Sequence, residues 1–408
     1  MKRLSVLFIV LFVPCAQAAT VETFTSPDSS FGAIAGFINN ANRSLLLSSY
    51  TFTSPELTRL LAEKAQEGVE IGLIVEKSPA GGMSDYEISA LCALQAGNIS
   101  VVLYDGPLKY MHAKYAVRDG RDVLVTSENY GYPGFTPGGT YGNRGWGVIV
   151  YGELARELEG IYRSDVRDSV VFQCPPGKYT IKSWGMKGAH APVFGSRIFE
   201  GQNVSLISSP DSLEDLLGLI SSAKSSIDAE MFYIYTHWGS ASKDTAESAP
   251  SPVLEALLQK AREGVRVRVL LDSTYYEMDP GKSTSNYNTI NYISSIAAEE
   301  GIPIEARAVD LDGLGLSMLH NKGIIIDGKK ALVSSINWNE NSIMNNREVA
   351  VLLEGESASY YSAVFGHDWN PEPPEDSGFW PAAASLSVLT ALVLYFTIRK
   401  FKERGVVL

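Results

Sequence analysis

Two short stretches share one frame. "MHAKYAVRDG" (Met111–Gly120) and "LHNKGIIIDG" (Leu319–Gly328) both read H-x-K-x-x-x-x-D and both end in D-G, in a chain of 408 residues with 5 histidines. In an extended strand, residues i and i+2 share a face. His112 and Lys114 therefore point the same way, as do His320 and Lys322. Beyond each D-G turn a further apolar run carries Ser-x-Asn: Ser127 and Asn129 in the first case, Ser335 and Asn337 in the second. Each set offers an imidazole, an ammonium, a hydroxyl and a carboxamide on neighbouring strands, which suits a phosphodiester. An imidazole can attack phosphorus or carry a proton near neutral pH. The ammonium is a point charge for a phosphate oxygen, and Ser and Asn supply hydrogen bonds to the others. Two imidazoles can divide the labour between nucleophile and acid. No metal is called for: the chain has no C-x-x-C or H-E-x-x-H, and two histidines do not fill a zinc shell. No cofactor is expected either.

The elements that must hold these residues also recur. "SLLLSSYTFTSPELTRLLAEKAQEGVEIGLIVEKS" (Ser44–Ser78) has a counterpart in "SSIDAEMFYIY" followed by "SPVLEALLQKAREGVRVRVLLDS". Each reads as strand, loop, helix, strand, with helices predicted over Pro55–Glu67 and Pro252–Glu263. Pro opens each helix, and Gly68 and Gly264 stop them. Strands alternating with helices of this length predict an α/β fold with mixed or parallel sheets. The expected architecture is two similar α/β lobes related by a pseudo-two-fold axis. Their bounds are 20–171 and 202–369, with a linker at 172–201. A site on that axis would let the two histidines meet.

The frame H-x-K-x4-D-x6-G-S-x-N resembles the HKD signature of the phospholipase D superfamily. "HAKYAVRDGRDVLVTSEN" fits with Thr126 in place of Gly, and "HNKGIIIDGKKALVSSINW" fits with Ser334 in place of Gly. "NNREVAV" (Asn345–Val351) is similar to the family's N-x-E element. The resemblance covers both repeats. It implies one active site between two lobes, a covalent phosphohistidine and no metal. On those terms Lys114, Lys322, Asn129 and Asn337 bind phosphate, with Ser127 and Ser335 beside them. Asp119 and Asp327 brace the turn, and Glu348 holds His112 in one tautomer. The departure lies in "NRGWGVIV" (Asn143–Val150), where Gly145 stands opposite Glu348. His320 is therefore expected to lack a carboxylate. That asymmetry makes His112 the nucleophile and His320 the general acid, later the base. It also leaves open a catalytically weakened binding module.

The chain ends carry other signals. Lys2 and Arg3, an apolar run from Leu4 to Val13 and Ala16-Gln17-Ala18 read as a signal peptide over 1–19. Phe379–Ile398 is uncharged and long enough to cross a bilayer, and the basic tail 399–408 marks the cytoplasmic side. A Pro-rich acidic spacer, 370–378, precedes it. The expected product is a single-pass membrane protein with its bulk outside the cytoplasm. There Cys92 and Cys174 could form a disulfide, or Cys92 could be a buried thiol. Of 34 basic residues six lie in the two ends, and of 46 acidic residues one does; 28 against 45 remain, a net of −17. Such a surface disfavours sequence-independent nucleic-acid binding. A phospholipid headgroup is the expected substrate, with single-stranded nucleic acid the alternative. Tyr130, Tyr132, Phe135, Tyr141 and Trp146 could enter a lipid interface, stack on bases, or merely pack their loop.

Overall fold

The computed structural model describes residues 18–137, 141–181, 188–239 and 243–371. The transmembrane segment and the basic tail expected from sequence lie outside these residues, as do all but Ala18 and Ala19 of the expected signal peptide and all but Asn370 and Pro371 of the acidic spacer. Among the described residues, no helix is long and apolar enough to cross a membrane.

The first half contributes β1 (Ala18–Ser26), β2 (Ser44–Ser49), β3 (Glu70–Glu76), β4 (Ser100–Tyr104), β5 (Tyr115–Arg118), β6 (Asp122–Thr126), β7 (Gly142–Tyr151) and β8 (Ser169–Val171). The second contributes β9 (Arg197–Ser209), β10 (Ser226–Met231), β11 (Arg266–Leu271), β12 (Ile304–Ala308), β13 (Leu316–Leu319), β14 (Lys322–Ile326), β15 (Lys330–Ser334) and β16 (Glu348–Glu354). One mixed sheet runs β12-β11-β10-β14-β15-β16-β9-β1-β7-β6-β5-β2-β3-β4-β8. Apart from β8 at one edge, the order is palindromic about the antiparallel pair β1–β9. Outward on either side come an antiparallel meander (β7-β6-β5 or β16-β15-β14) and then three parallel strands (β2-β3-β4 or β10-β11-β12). β9 starts at Arg197, so the end of the stretch read as linker is sheet.

Local sequence explains the crossovers between parallel strands. The helix Pro55–Gln66 begins with Pro after Ser54, whose Oγ accepts from Leu57 N at 3.2 Å, and its counterpart Pro252–Arg262 also begins with Pro. Gly68 and Gly264 follow with φ of 93° and 87°, a conformation that stops a helix cheaply only in glycine. Leu57 and Leu61, and Leu254, Leu257 and Leu258, are buried against the sheet. Cys92 and Cys174 are disulfide-bonded, tying the helix Asp85–Ala96 to the chain just past β8.

The halves also interlock away from β1–β9. β13, which leads into His320, pairs in parallel with β7 of the first half, with Leu319 opposite Arg144. The mirror-image contact is a parallel bridge between Met111, which leads into His112, and Arg347. Trp146 of β7 reaches across to β14. A Cβ on Gly323 would fall 2.3 Å from its ring, so only glycine fits there. Tyr130, Phe135 and Trp146 are fully buried; these rings pack the loop and do not offer themselves to lipid or bases.

Candidate active site

Each histidine follows a segment held by the opposite half. His112 N–H donates to Arg347 O at 2.9 Å, and His320 N–H donates to Arg144 O at 2.8 Å. The preceding residue is fixed as symmetrically: Met111 N–H donates to Glu76 at 2.7 Å and Leu319 N–H to Asp272 at 2.7 Å. Glu76 ends β3 and Asp272 follows β11. Neither was singled out in the sequence, although "VEK" and "LDS" end corresponding strands. Both supporting arginines are themselves pinned. Arg347 pairs with Asp165 at 2.8 Å, and Arg144 is wholly buried between Asp28 and Asp368 at 2.5 and 2.6 Å.

The two frames meet at one centre. Lys114 and Lys322 are fully buried, and each Nζ donates to the carbonyl of its own frame's histidine. Ring faces close the outer sides: Tyr50 packs 4.9 Å from His112, and Phe232 packs 5.1 Å from His320, centroid to centroid. These rings are the first residues past β2 and β10. Asp119 and Asp327 stand away from the centre. Each takes φ near 55° and accepts from three successive backbone N–H groups, Asn42 to Ser44 or Lys224 to Ser226, at 2.7–3.0 Å. They brace the turns. Ser335 Oγ donates to Glu348 Oε2 at 2.6 Å, and Ser127 Oγ accepts from Trp146 N at 3.0 Å. Both hydroxyls thus have a partner within the protein. Asn129 and Asn337 each keep a buried Oδ1 without a partner among the described residues.

The carboxylates correct one expectation outright. His112 Nδ1 lies 2.8 Å from Glu348 Oε1, and Asn346 Nδ2 steadies that oxygen at 3.0 Å. His320 does not lack a carboxylate. Its Nδ1 lies 3.3 Å from Glu128 Oε1, and Asn143, the counterpart of Asn346, steadies Glu128 Oε2 at 3.1 Å. Glu128 is the middle residue of Ser-Glu-Asn, where the second half has Ile336. Gly145 is glycine because that space is taken: a Cβ there would meet Glu128 Oε1 at 2.6 Å and Ser127 Oγ at 2.7 Å. The carboxylate has moved from one strand to its neighbour.

Electrostatics follow from burying three ionisable pairs together: two histidines, two lysines and two glutamates. Burial pulls His112 down to about 4, against the pull of Glu348; Lys114 adds to the lowering. His320 is lowered by burial and by Lys322, with Glu128 opposing. Burial brings Lys114 down to about 7 and Lys322 well below its ordinary range. Burial would raise Glu348 and Glu128, but their histidine partners overcome it and hold both below the usual range. Lowered from its ordinary value, each imidazole favours the neutral form near pH 7. Among the described residues, no cluster of three or more His, Cys, Asp or Glu is arranged to hold a metal.

The chain is similar to known proteins. The family model described as "Cardiolipin synthase, PLD-like domain" matches twice, over residues 34–165 and 216–369. A cardiolipin synthase of Clostridium perfringens is 22% identical over 357 residues, covering 84% of this chain and 68% of its own. The mitochondrial cardiolipin hydrolase of Mus musculus is 27% identical over 179 residues, covering 43% of this chain and 66% of its own. The crystal structure of phosphatidylserine synthase from Haemophilus influenzae Rd KW20 superposes with a TM-score of 0.61 at 13% identity, over 95% of both chains.

If Glu128 serves His320 as Glu348 serves His112, Glu128→Gln lowers kcat on a phosphodiester by about 10²-fold, the low end of what a positioned acid contributes. Glu128→Ile loses as much, and adding Gly145→Glu to it restores most of the rate by recreating the second half's arrangement. Wild-type kcat in Glu128→Gln would show that the contact is idle.

Proposed function

From the premise that the chain belongs to the phospholipase D superfamily, we propose that it is a metal-independent phosphodiesterase or phosphatidyltransferase acting on phospholipid headgroups. The observation that carries this reading is the convergence of His112 and His320, each beside a buried carboxylate, with two buried lysines whose charges act on both. In this mechanism His112, its Nδ1–H held by Glu348, attacks phosphorus through Nε2. The P–O bond to the leaving alcohol breaks, and His320 gives that oxygen its proton. Water or an acceptor alcohol then returns a proton to His320 and attacks phosphorus, breaking the P–N bond and freeing His112. Lys114, Lys322, Asn129 and Asn337 hold the equatorial oxygens. The bound anion offsets the two ammonium charges, one cause of His320's lowering, and so lets it carry the proton it must donate.

The assignment of roles no longer rests on a missing carboxylate. It rests on the shorter contact at His112, 2.8 Å against 3.3 Å at His320, and on the cleft that opens beside His320. The binding-module reading loses its only sequence support with Glu128 in place. Relatives named for cardiolipin synthesis and hydrolysis favour lipid over nucleic acid, in keeping with the acidic surface. The Cys92–Cys174 disulfide supports a location outside the cytoplasm. With it goes the proposal of a single C-terminal span at 379–398 and a cleaved signal peptide.

Acid quench during turnover of phosphatidylglycerol traps phosphorus on His112. His112→Asn abolishes activity and EDTA leaves it unchanged; label on His320, or EDTA sensitivity, would overturn the mechanism. A lysine is charged below its pKa and neutral above it. With Lys114 at about 7, kcat/KM, which reports the free enzyme, declines as pH rises through that value. A kcat/KM flat from pH 6 to 9 would contradict this. On fractionation the full chain sediments with membranes, and a chain ending at Trp369 is soluble and active; a membrane-bound shortened chain would refute the single C-terminal anchor.

A further inference from the structure

The aromatic rings of the first half's long loop are buried, but three rings of the second half face water. Tyr275 and Tyr276 are 84% and 76% exposed, and Tyr287 is 41% exposed. The first two meet edge to face with centroids 5.7 Å apart. They follow β11, which ends at the catalytic end of the sheet: Leu271 pairs with Met231, and Met231 with Lys322. The turn that presents them is built on Asp272. Thr274 N–H donates to Asp272 Oδ2 at 3.0 Å, and the Thr274 hydroxyl donates to the same oxygen. Glu277 N–H and Met278 N–H then return to Thr274 O at 2.9 and 3.0 Å. The other carboxylate oxygen, Asp272 Oδ1, is the one that holds Leu319 N–H beside His320. Tyr287 opens the helix Asn286–Glu300, and its N–H donates to Glu277 O at 3.3 Å. In the first half Glu76 does the same work, accepting from Met111 and Ser78, yet "SPAGG" (78–82) carries no ring there. The turn therefore needs no tyrosine to fold.

Resting on the reading of a phospholipid substrate, we infer that Tyr275 and Tyr276 dock the catalytic end of the molecule on the surface of a zwitterionic bilayer. A tyrosine joins an apolar ring to a hydroxyl, which suits the boundary between acyl chains and headgroups. Adjacent exposed rings mark a contact surface, and these two stand at the end of the sheet where the lipid must arrive. Charge selects the kind of surface. Lys282 is the one basic residue of the connection 273–285, and its ammonium is paired with Glu277 at 3.0 Å. Asp279 is exposed beside it, and the chain between its two ends carries a large acidic surplus. An anionic membrane would repel such a face. A nucleic-acid backbone would meet a single ammonium here, already paired. Docking therefore works through ring insertion rather than charge. Because Asp272 holds both the turn and the segment before His320, the surface that receives the rings is set against the site by one side chain.

The test compares a lipid in a bilayer with a substrate in solution. The full chain is reconstituted in phosphatidylcholine vesicles holding a minor fraction of phosphatidylglycerol, with bis-p-nitrophenyl phosphate as the soluble reporter. The double variant Tyr275→Ser, Tyr276→Ser is expected to lose about tenfold in kcat/KM on the vesicle lipid and nothing on the reporter. Tyr275→Trp with Tyr276→Trp supplies other interfacial rings and keeps the vesicle rate. The ratio of vesicle to reporter rates stays flat as salt is raised, since docking uses no unpaired cation. An equal loss on both substrates would make the rings a support of the site and overturn docking, and so would an unchanged vesicle rate. Loss of single-stranded oligodeoxynucleotide hydrolysis with vesicle turnover intact would overturn it in favour of base stacking. These outcomes strike docking alone. Failure of the wild type on vesicle lipid, with the reporter still hydrolysed, removes the lipid reading and docking together.

Discussion

Everything in the site hangs on a reciprocal exchange of backbone hydrogen bonds. His112 N–H binds Arg347 O and His320 N–H binds Arg144 O, so neither half positions its histidine alone. The exchange needs β7 and β16 side by side with the segments from the other half. That in turn requires β1 and β9 to pair at the centre of the sheet. Arg144 and Arg347 are then fixed by carboxylates on remote parts of the chain, Asp28, Asp368 and Asp165. Burying such charges is costly unless they are fully paired, and here each is. The geometry of two atoms is thus underwritten by contacts spanning the whole sequence.

The same arrangement decides the electrostatics. Two ammonium groups are buried within reach of each other, which is unfavourable on both desolvation and repulsion grounds. Glu348 and Glu128 offset part of that cost, each also engaging one imidazole. Each carboxylate faces a histidine, so the two lysines are the cations left to meet an incoming anion. Stability given up at this point is recovered on binding a phosphodiester, the usual trade at a preorganised site.

Much of this was legible from residue spacing. The H-x-K frames, the Ser-x-Asn pairs and Glu348 all lie at one centre, and the predicted helices fall within a residue of Pro55–Gln66 and Pro252–Arg262. Glu128 was missed because the halves were compared position by position, and position 145 is glycine. A side chain's reach is set by the path of two adjacent strands, and β6 and β7 bring the residue after Ser127 to the space that Gly145 vacates. Glu76 and Asp272 escaped for another reason: a carboxylate at a strand end looks like solvated surface until the backbone N–H it receives is seen. The buried aromatic rings of the first half's long loop show the converse. Composition left an interface and loop packing equally open, and the rings meet one another (Tyr130 on Phe52 and Phe135).

The uninterrupted sheet has a mechanical consequence. Many two-lobed enzymes bend at a linker and open like jaws to admit substrate. Here a hinge between the halves would have to tear the β1–β9 ladder and slide β13 off β7, exposing backbone groups on both sides. The catalytic floor is therefore a rigid plate, and admission and release fall to the connections above it. One of those connections ends in the helix Asp85–Ala96, which the Cys92–Cys174 bridge fastens to the far edge of the plate. The two histidines thus sit on parts of one plate rather than on two jaws.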